Sequence, residues 1–349
     1  MFSEGRSNPV KADLSGGKRL EKVGIMKVLQ VRDLSIDFLS GGRYLRAVSD
    51  VSFDVREGRI TALVGESGCG KSASCLALTG LLPVPPARTN GSVEFTLRSG
   101  EKADLFKLSP RQKRKIRGSG IAYVFQEPSA SLNPVMRTGD QVAEVLRLCC
   151  PEITDRRKRV IELFADVGIP SPEERIRAYP HELSGGMQQR VMIAMALAGN
   201  PRLLIADEPT TALDVTIQAQ ILELIDRLRK ERNMAVILVT HNLGIVSNLA
   251  DDVVVMYAGS IVEKAPCAEL FAHPAHPYTR ALLKAVPRLR GTADKLETIP
   301  GRVPAIADYP AGCRFCTRCA KAKESCFTEY PALLEVGENH FCRCPEYLT

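Results

Sequence analysis

Aromatic residues make up only 5% of this 349-residue sequence, and tryptophan is absent. The chain nevertheless carries a net charge of +7 and a basic run, Arg111-Gln112-Lys113-Arg114-Lys115-Ile116-Arg117. Nucleic-acid grooves pair such charge with stacking rings. Without those rings the run reads as a solvated helical face near anionic lipid head groups, and nucleic acid is excluded as a partner. No apolar run approaches the ~20 residues that span a bilayer, so any membrane attachment has to be borrowed from partners. Residues 1–27 lack the apolar segment of a signal peptide and show no periodicity, which reads as a mobile tail; Met1 and Met26 both stand as possible starts of translation. No internal repeat is present, which excludes a fused tandem. With 45% hydrophobic and 25% charged residues the composition is that of a globular protein with ample core.

What is present is phosphate chemistry. Gly65-Glu66-Ser67-Gly68-Cys69-Gly70-Lys71-Ser72 lies between the apolar run Ile60 to Val64 and the stretch Ala73 to Leu82, so it joins a strand to a helix, the context a phosphate loop requires. Its glycines let backbone N–H groups turn inward around phosphate oxygens, and the helix start adds its positive dipole end. Lys71 suits the β- and γ-phosphates and the Ser72 hydroxyl suits Mg²⁺; the plain alternative is a Gly-rich turn. Leu203-Leu204-Ile205-Ala206-Asp207-Glu208-Pro209 is a second buried strand with two carboxylates at its carboxyl end, where open α/β sheets place ligands. Asp207 suits the Mg²⁺ shell and Glu208 a base that polarises the attacking water. Alone, such acids could equally cap a helix.

Gln126 follows the apolar run Ile121 to Phe125, and His241 follows Val236 to Thr240. Either alone is an ordinary loop residue, but their shared position at strand ends brings both to the γ-phosphate edge. Between these strands, Leu183-Ser184-Gly185-Gly186-Met187-Gln188-Gln189-Arg190 opens a helix striped with Val191, Ile193, Ala194 and Leu197, and bare N–H groups at a helix start bind anions.

In this order the segments are similar to the nucleotide-binding subunit of an ATP-binding cassette (ABC) transporter, over about Val28 to Phe271. The resemblance implies an α/β P-loop NTPase fold. A RecA-like core, an antiparallel β subdomain and a helical subdomain at 128–182 would make up a nucleotide-binding domain at 28–270, followed by a cysteine-rich extension at 271–349. The helical subdomain would receive a coupling helix from a membrane subunit. Gly65, Ser67, Gly68, Cys69, Gly70, Lys71 and Ser72 would hold ATP as the Walker A loop. Gln126 of the Q-loop would join Ser72 and Asp207 around Mg²⁺. Glu208, His241 and Gln126 would be catalytic, and Asp214 would be the D-loop aspartate. The signature residues Leu183, Ser184, Gly185, Gly186 and Gln188 would close over ATP bound to a partner subunit, so the chain would dimerise. Phe38 is the aromatic residue assigned to adenine, with Tyr44 its competitor.

Beyond the cassette, His276-Pro277-Tyr278-Thr279-Arg280-Ala281-Leu282-Leu283 begins a short helix, followed by Ile299-Pro300-Gly301 and Val303-Pro304. On chemistry alone these are Pro-bounded turns around a packing helix. Together with Gly312-Cys313-Arg314-Phe315-Cys316-Thr317-Arg318-Cys319 and the run from Gly185 to Leu197, they resemble D-type subunits of dipeptide and oligopeptide permeases. That resemblance implies a peptide importer at the cytoplasmic face of the plasma membrane: a heterodimer with a second, F-type ATPase, two transmembrane permease subunits and an extracytoplasmic substrate-binding protein. Relatives of such ATPases also serve nickel chelates and glutathione. A non-transport ABC ATPase of DNA repair or translation would carry two cassettes, or a coiled-coil or zinc insertion, and this sequence has neither.

Six of the 11 cysteines lie at 313, 316, 319, 326, 342 and 344. Cytosolic thiols are reduced, so clustering favours a metal, either tetrahedral Zn²⁺ or an iron–sulfur cluster. The family resemblance implies a [4Fe–4S] cluster on Cys313, Cys319, Cys326 and Cys344, with Cys316 and Cys342 as alternates and Zn²⁺ as the alternative metal. Cys69, Cys75, Cys149, Cys150 and Cys267 read as small buried hydrophobes.

Overall fold

The computed structural model describes residues 26–211, 213–285 and 298–344. The expected mobile tail falls, apart from Met26 and Lys27, outside the described residues. In chain order the strands are β1 (Lys27–Ser40), β2 (Arg43–Arg56), β3 (Ile60–Val64), β4 (Ala87–Thr96), β5 (Lys102–Asp104), β6 (Ile121–Val124), β7 (Leu203–Asp207), β8 (Ala235–Thr240), β9 (Asp252–Tyr257), β10 (Ser260–Pro266), β11 (Leu334–Gly337) and β12 (His340–Cys342).

The continuous apolar runs at β3, β7 and β8 are buried along their whole length, as strands covered on both faces must be. They form the parallel centre of a large sheet ordered β11-β12-β10-β9-β3-β8-β7-β6. A smaller antiparallel sheet, β2-β1-β4-β5, alternates buried and open positions along the second half of β2. Val31, Ile36, Val48 and Phe53 of that sheet share a core with Cys75 and Leu78 of the helix Lys71–Thr79. That helix leaves Gly70 at φ 98° and stops at Gly80, left-handed at φ 63°, the usual glycine stop.

Helices Thr138–Cys149 and Arg156–Asp166 contain the helical patterns read at 142–148 and 159–164. They pack Val142, Leu146, Val160, Leu163 and Phe164 against Val191, Ile193 and Leu197 of helix Gly185–Ala198. The basic run forms the helix Pro110–Ile116, opened by a Ser109–Gln112 capping box and burying none of its residues, which is the solvated face its charge requires.

One reading is corrected. Cys149 and Cys150 are half-exposed while Cys69, Cys75 and Cys267 are buried; they are the last residue and the C-cap of helix Thr138–Cys149, at the rim of the helical layer rather than in it. Past residue 271 the chain adds more than the expected short helix. Helix Pro277–Lys284 is present, but β12 also pairs with β10 through Glu263↔Cys342 and Lys264↔Phe341, and β11 with β12, extending the main sheet. Among the described residues no helix is long and apolar enough to cross a membrane.

Candidate functional site

The phosphate loop is shaped by glycines at positive φ. Gly65, Gly68 and Gly70 have φ of 150°, 78° and 98°, and a Cβ on Gly65 would stand 2.1 Å from the Met256 carbonyl oxygen. Lys71, 4% exposed, donates from Nζ to the Gly65 and Glu66 carbonyls at 2.8 and 3.0 Å. Its ammonium thus rests on the loop's own oxygens, which a phosphate chain would displace. Burial raises the Cys69 thiol against the opposing pull of Lys71, so this loop cysteine is a packed thiol and not a nucleophile.

Ser72 Oγ donates to Asp207 Oδ1 at 3.0 Å, and the Tyr123 hydroxyl donates to Oδ2 at 2.6 Å. Burial raises the Asp207 carboxyl above its usual value, although both hydrogen bonds and Lys71 pull it back. A buried carboxylate beside a hydroxyl, in want of positive charge, is a hard oxygen donor pair that fits Mg²⁺. At the next residue, Glu208 Oε2 accepts from Gln126 Nε2 at 3.2 Å and Thr211 Oγ1 at 2.9 Å, while Oε1 lies 3.2 Å from His241 Nδ1. Glu208 holds a left-handed φ of 44°, pinned by its N–H to the Val239 carbonyl at 2.9 Å. Local strain of this kind marks an over-determined position. Gln126, Glu208 and His241, read separately from three strand ends, are thereby brought together.

Lys71, Ser72, Gln126, Glu208, Thr211 and His241 line one cavity of about 750 Å³, with Phe38 at its wall and Asp207 just behind Ser72. Tyr44 does not line it, and its ring lies under the Arg88 guanidinium at 3.5 Å. Sequence reasoning missed Tyr123 and Thr211, and also Leu282 and Ile306, which reach the same cavity from beyond residue 271. The register Tyr123↔Ile205 on adjacent parallel strands is the only signal that could have found Tyr123, and it is a tertiary one.

None of Leu183, Ser184, Gly185, Gly186 or Gln188 lines that cavity. Ser184 caps helix Gly185–Ala198 by accepting the Met187 N–H at 3.4 Å, and Gln188 donates to the Pro180 and Leu183 carbonyls. A Cβ on Gly186 would come within 2.9 Å of Ile217, so the tip lies against the start of helix Val215–Arg232. Asp214 caps that helix by accepting the Ile217 N–H at 3.0 Å.

The tail thiols are drawn into one neighbourhood but not into a ligand set. Burial pushes Cys313 up to about 11, with Cys316, Cys326 and Cys344 near enough to add to the shift. Among the described residues no three His, Cys, Asp or Glu side chains are gathered as a metal ion needs. Cys342 ends β12, paired to Glu263 and within reach of Cys344. As placed, the four expected ligands Cys313, Cys319, Cys326 and Cys344 do not fit a preformed cluster.

A phosphate loop opening a helix from one parallel strand, with an acidic pair ending a nearby strand of the same sheet, defines a P-loop nucleoside triphosphatase. The comparisons narrow that class. The sequence model of the ABC transporter family matches residues 48–211, and that of the oligopeptide/dipeptide transporter C-terminal region matches 262–326. A putative peptide import ATP-binding protein of Brucella ovis is 49% identical over 91% of this chain and 96% of its own. Another, from Brucella melitensis, is 48% identical with the same coverage. Among solved structures, the dimeric post-hydrolysis ATP-binding cassette MJ0796 with ADP and Pi superposes with a TM-score of 0.60 at 26% identity, over 68% of this chain and 98% of that one. The cbiO1 subunit of Clostridium perfringens, part of the transporter complex cbiONQ, gives 0.57 at 28% identity, over 71% and 91%. The chain belongs to the ABC transporter ATP-binding proteins; it has the ABC ATPase cassette fold and is an ATPase of that class.

Proposed function

We propose that this chain hydrolyses ATP to power a peptide-class importer. The convergence of Gln126, Thr211 and His241 on Glu208 carries the hydrolytic part of this reading. The similarity to curated peptide import proteins and the match at 262–326 support the peptide part. Phosphoryl transfer leaves a protein mainly positioning and electrostatics to supply. Glu208 takes the proton of the attacking water, held in place by Gln126, Thr211 and His241. Ser72 and Asp207, with Gln126, would hold Mg²⁺, which would supply positive charge to neutralise the phosphates. Lys71 moves from the loop carbonyls to those phosphates, the N–H groups of residues 65–72 surround them, and Phe38 packs on adenine.

The signature residues Leu183, Ser184, Gly185, Gly186 and Gln188, together with Asp214, serve ATP on a partner ATPase of F-type. Their absence from this chain's own cavity supports that assignment. ATP favours the closed pair and hydrolysis reopens it, and the difference in affinity drives two permease subunits. A second, apolar cavity of about 490 Å³ between Leu81, Phe125, Leu132, Val145, Met192 and Met195 supports docking of a membrane subunit's coupling helix. The protein is then peripheral at the cytoplasmic membrane face, with residues 28–270 as cassette and 271–349 as extension, and an extracytoplasmic binding protein delivers the solute. Disrupting the gene in its host should abolish uptake of labelled di- and oligopeptides. Loss of only nickel-chelate or glutathione uptake would overturn the peptide reading.

A [4Fe–4S] cluster on Cys313, Cys319, Cys326 and Cys344, or Zn²⁺ in its place, is a separate proposal. It is supported by the six clustered cysteines and the mutual reach of Cys313 with Cys316, Cys326 and Cys344, and it requires the metal to gather its own ligands. Iron, sulfide and zinc per chain, measured after anaerobic purification and again with Cys319→Ser, decide it.

A further inference from the structure

Two tail stretches that the proposed function leaves idle converge on a single residue of the phosphate loop, Glu66, and a third braces one of them. His276 Nδ1 accepts the Tyr278 N–H at 3.1 Å and so opens helix Pro277–Lys284. That helix buries Tyr278 completely, and the tyrosine hydroxyl accepts the Glu66 N–H at 3.0 Å. The turn Cys316–Arg318 presents Arg318 to the Glu66 carboxylate, with Nη1 on Oε2 at 2.7 Å and Nη2 on Oε1 at 3.1 Å. The Pro300 and Ile299 carbonyls accept the remaining guanidinium N–H groups at 2.8 and 3.3 Å, and the Tyr257 hydroxyl lies 3.3 Å away.

An exposed ion pair would mean little. This one is a two-pronged fork with the arginine side chain 5% exposed and the glutamate 25%, the geometry in which guanidinium and carboxylate bind tightly and with fixed orientation. Glu66 is therefore held at its N–H and its carboxylate by the tail, and at its carbonyl by Lys71. When phosphates draw Lys71 away, Glu66 keeps the tail contacts and, within the loop, only a long 3.4 Å bond from the Cys69 N–H to its carbonyl.

We propose that Arg318, seconded by Tyr278, is a positioning residue for the phosphate loop: through Glu66 the tail holds the loop in the shape that accepts the nucleotide's phosphate chain. Arg318 itself touches no nucleotide. The proposal rests on residues 65–72 being the ATP site and adds that ATP affinity depends on a residue about 250 positions away in sequence. Preorganised donors bind without the cost of ordering a loose loop, so slackening the loop weakens binding even though every N–H group remains.

The test is equilibrium titration of the full-length protein with a fluorescent ATP analogue, alongside thermal melting. Arg318→Ala and Glu66→Ala should each weaken binding roughly tenfold, the loss of one charge-assisted pair. Arg318→Lys should recover part of the loss, and the double variant should bind no worse than either single one. Glu66→Ala leaves every bond within the tail intact, so it decides the matter by itself if Arg318→Ala unfolds. Unchanged affinity in a folded Glu66→Ala protein, or losses that add in the double variant, would overturn the positioning role alone. No nucleotide binding by the unsubstituted protein would overturn the ATP site and this role with it.

Discussion

Replacing Glu208 by glutamine keeps the side chain's length and shape but removes its basicity. In the structure both carboxylate oxygens are engaged: Oε2 by Gln126 and Thr211, Oε1 beside His241. An amide offers one accepting oxygen and would turn an NH₂ toward at least one of those neighbours. The water would then lack both its base and its anchor. General-base catalysis is typically worth 10²–10⁴-fold, or ~3–6 kcal/mol at ~1.4 kcal/mol per decade. Hydrolysis should fall by that factor when measured as phosphate release in the presence of the partner ATPase. Lys71 and Ser72 direct their hydrogen bonds to loop carbonyls and Asp207 and not to Glu208, so KM for ATP should stay within about threefold while kcat drops. ATP should accumulate unhydrolysed on the protein. A Glu208→Gln variant that keeps more than about a tenth of the rate would refute the base assignment and shift attention to His241.

Tyr123→Phe removes the 2.6 Å hydrogen bond to Asp207 and leaves burial to raise that carboxyl further. The acid limb of the ATPase pH profile should move up and the Mg²⁺ requirement should rise several-fold; an unmoved limb would show that the hydroxyl does not tune Asp207. His276, completely buried, is depressed to about 4 by that burial. A histidine held neutral contributes stability that is present above its unfolded value of ~6.5 and is lost as pH falls toward 4. His340 runs the other way: its pKa is raised mainly by its hydrogen bond to Glu263, so its contribution is full below ~6.5 and fades as pH rises through its folded value. His276→Asn, which can still accept the Tyr278 N–H, should remove roughly 1–2 kcal/mol of the stability difference between pH 7 and pH 5, read from urea midpoints; an unchanged slope would place the acid sensitivity elsewhere.

The parts legible in advance share one property: their physical requirement is local. The phosphate loop needs glycines at positive φ within a few residues of Lys71, and buried parallel strands need unbroken apolar runs, so β3, β7 and β8 and the polar residues that end β7 and β8 were visible in linear order. Gln126, Glu208 and His241 could be grouped because parallel strands carry their carboxyl ends to one edge. Cys149 and Cys150 were misread because two apolar-looking residues at a helix end give no hint of which layer covers them. The hairpin β11–β12 was hidden because a short, largely exposed strand has no pattern of its own and is specified by its partner β10.

By itself, then, the sequence determined the ATPase class, the order of the cassette and the groups proposed for phosphate and Mg²⁺, since each is set by backbone geometry or chemistry within a short segment. Only the tertiary structure decided that Tyr123 bonds Asp207, that Phe38 rather than Tyr44 faces the cavity, that the tail cysteines do not stand as a ready ligand set, and that Arg318 grips Glu66. These are contacts between side chains far apart in the chain, created when β6 lies beside β7 and when the tail folds back over β9 and β10, and no periodicity along the chain encodes which atoms such packing brings within hydrogen-bond reach.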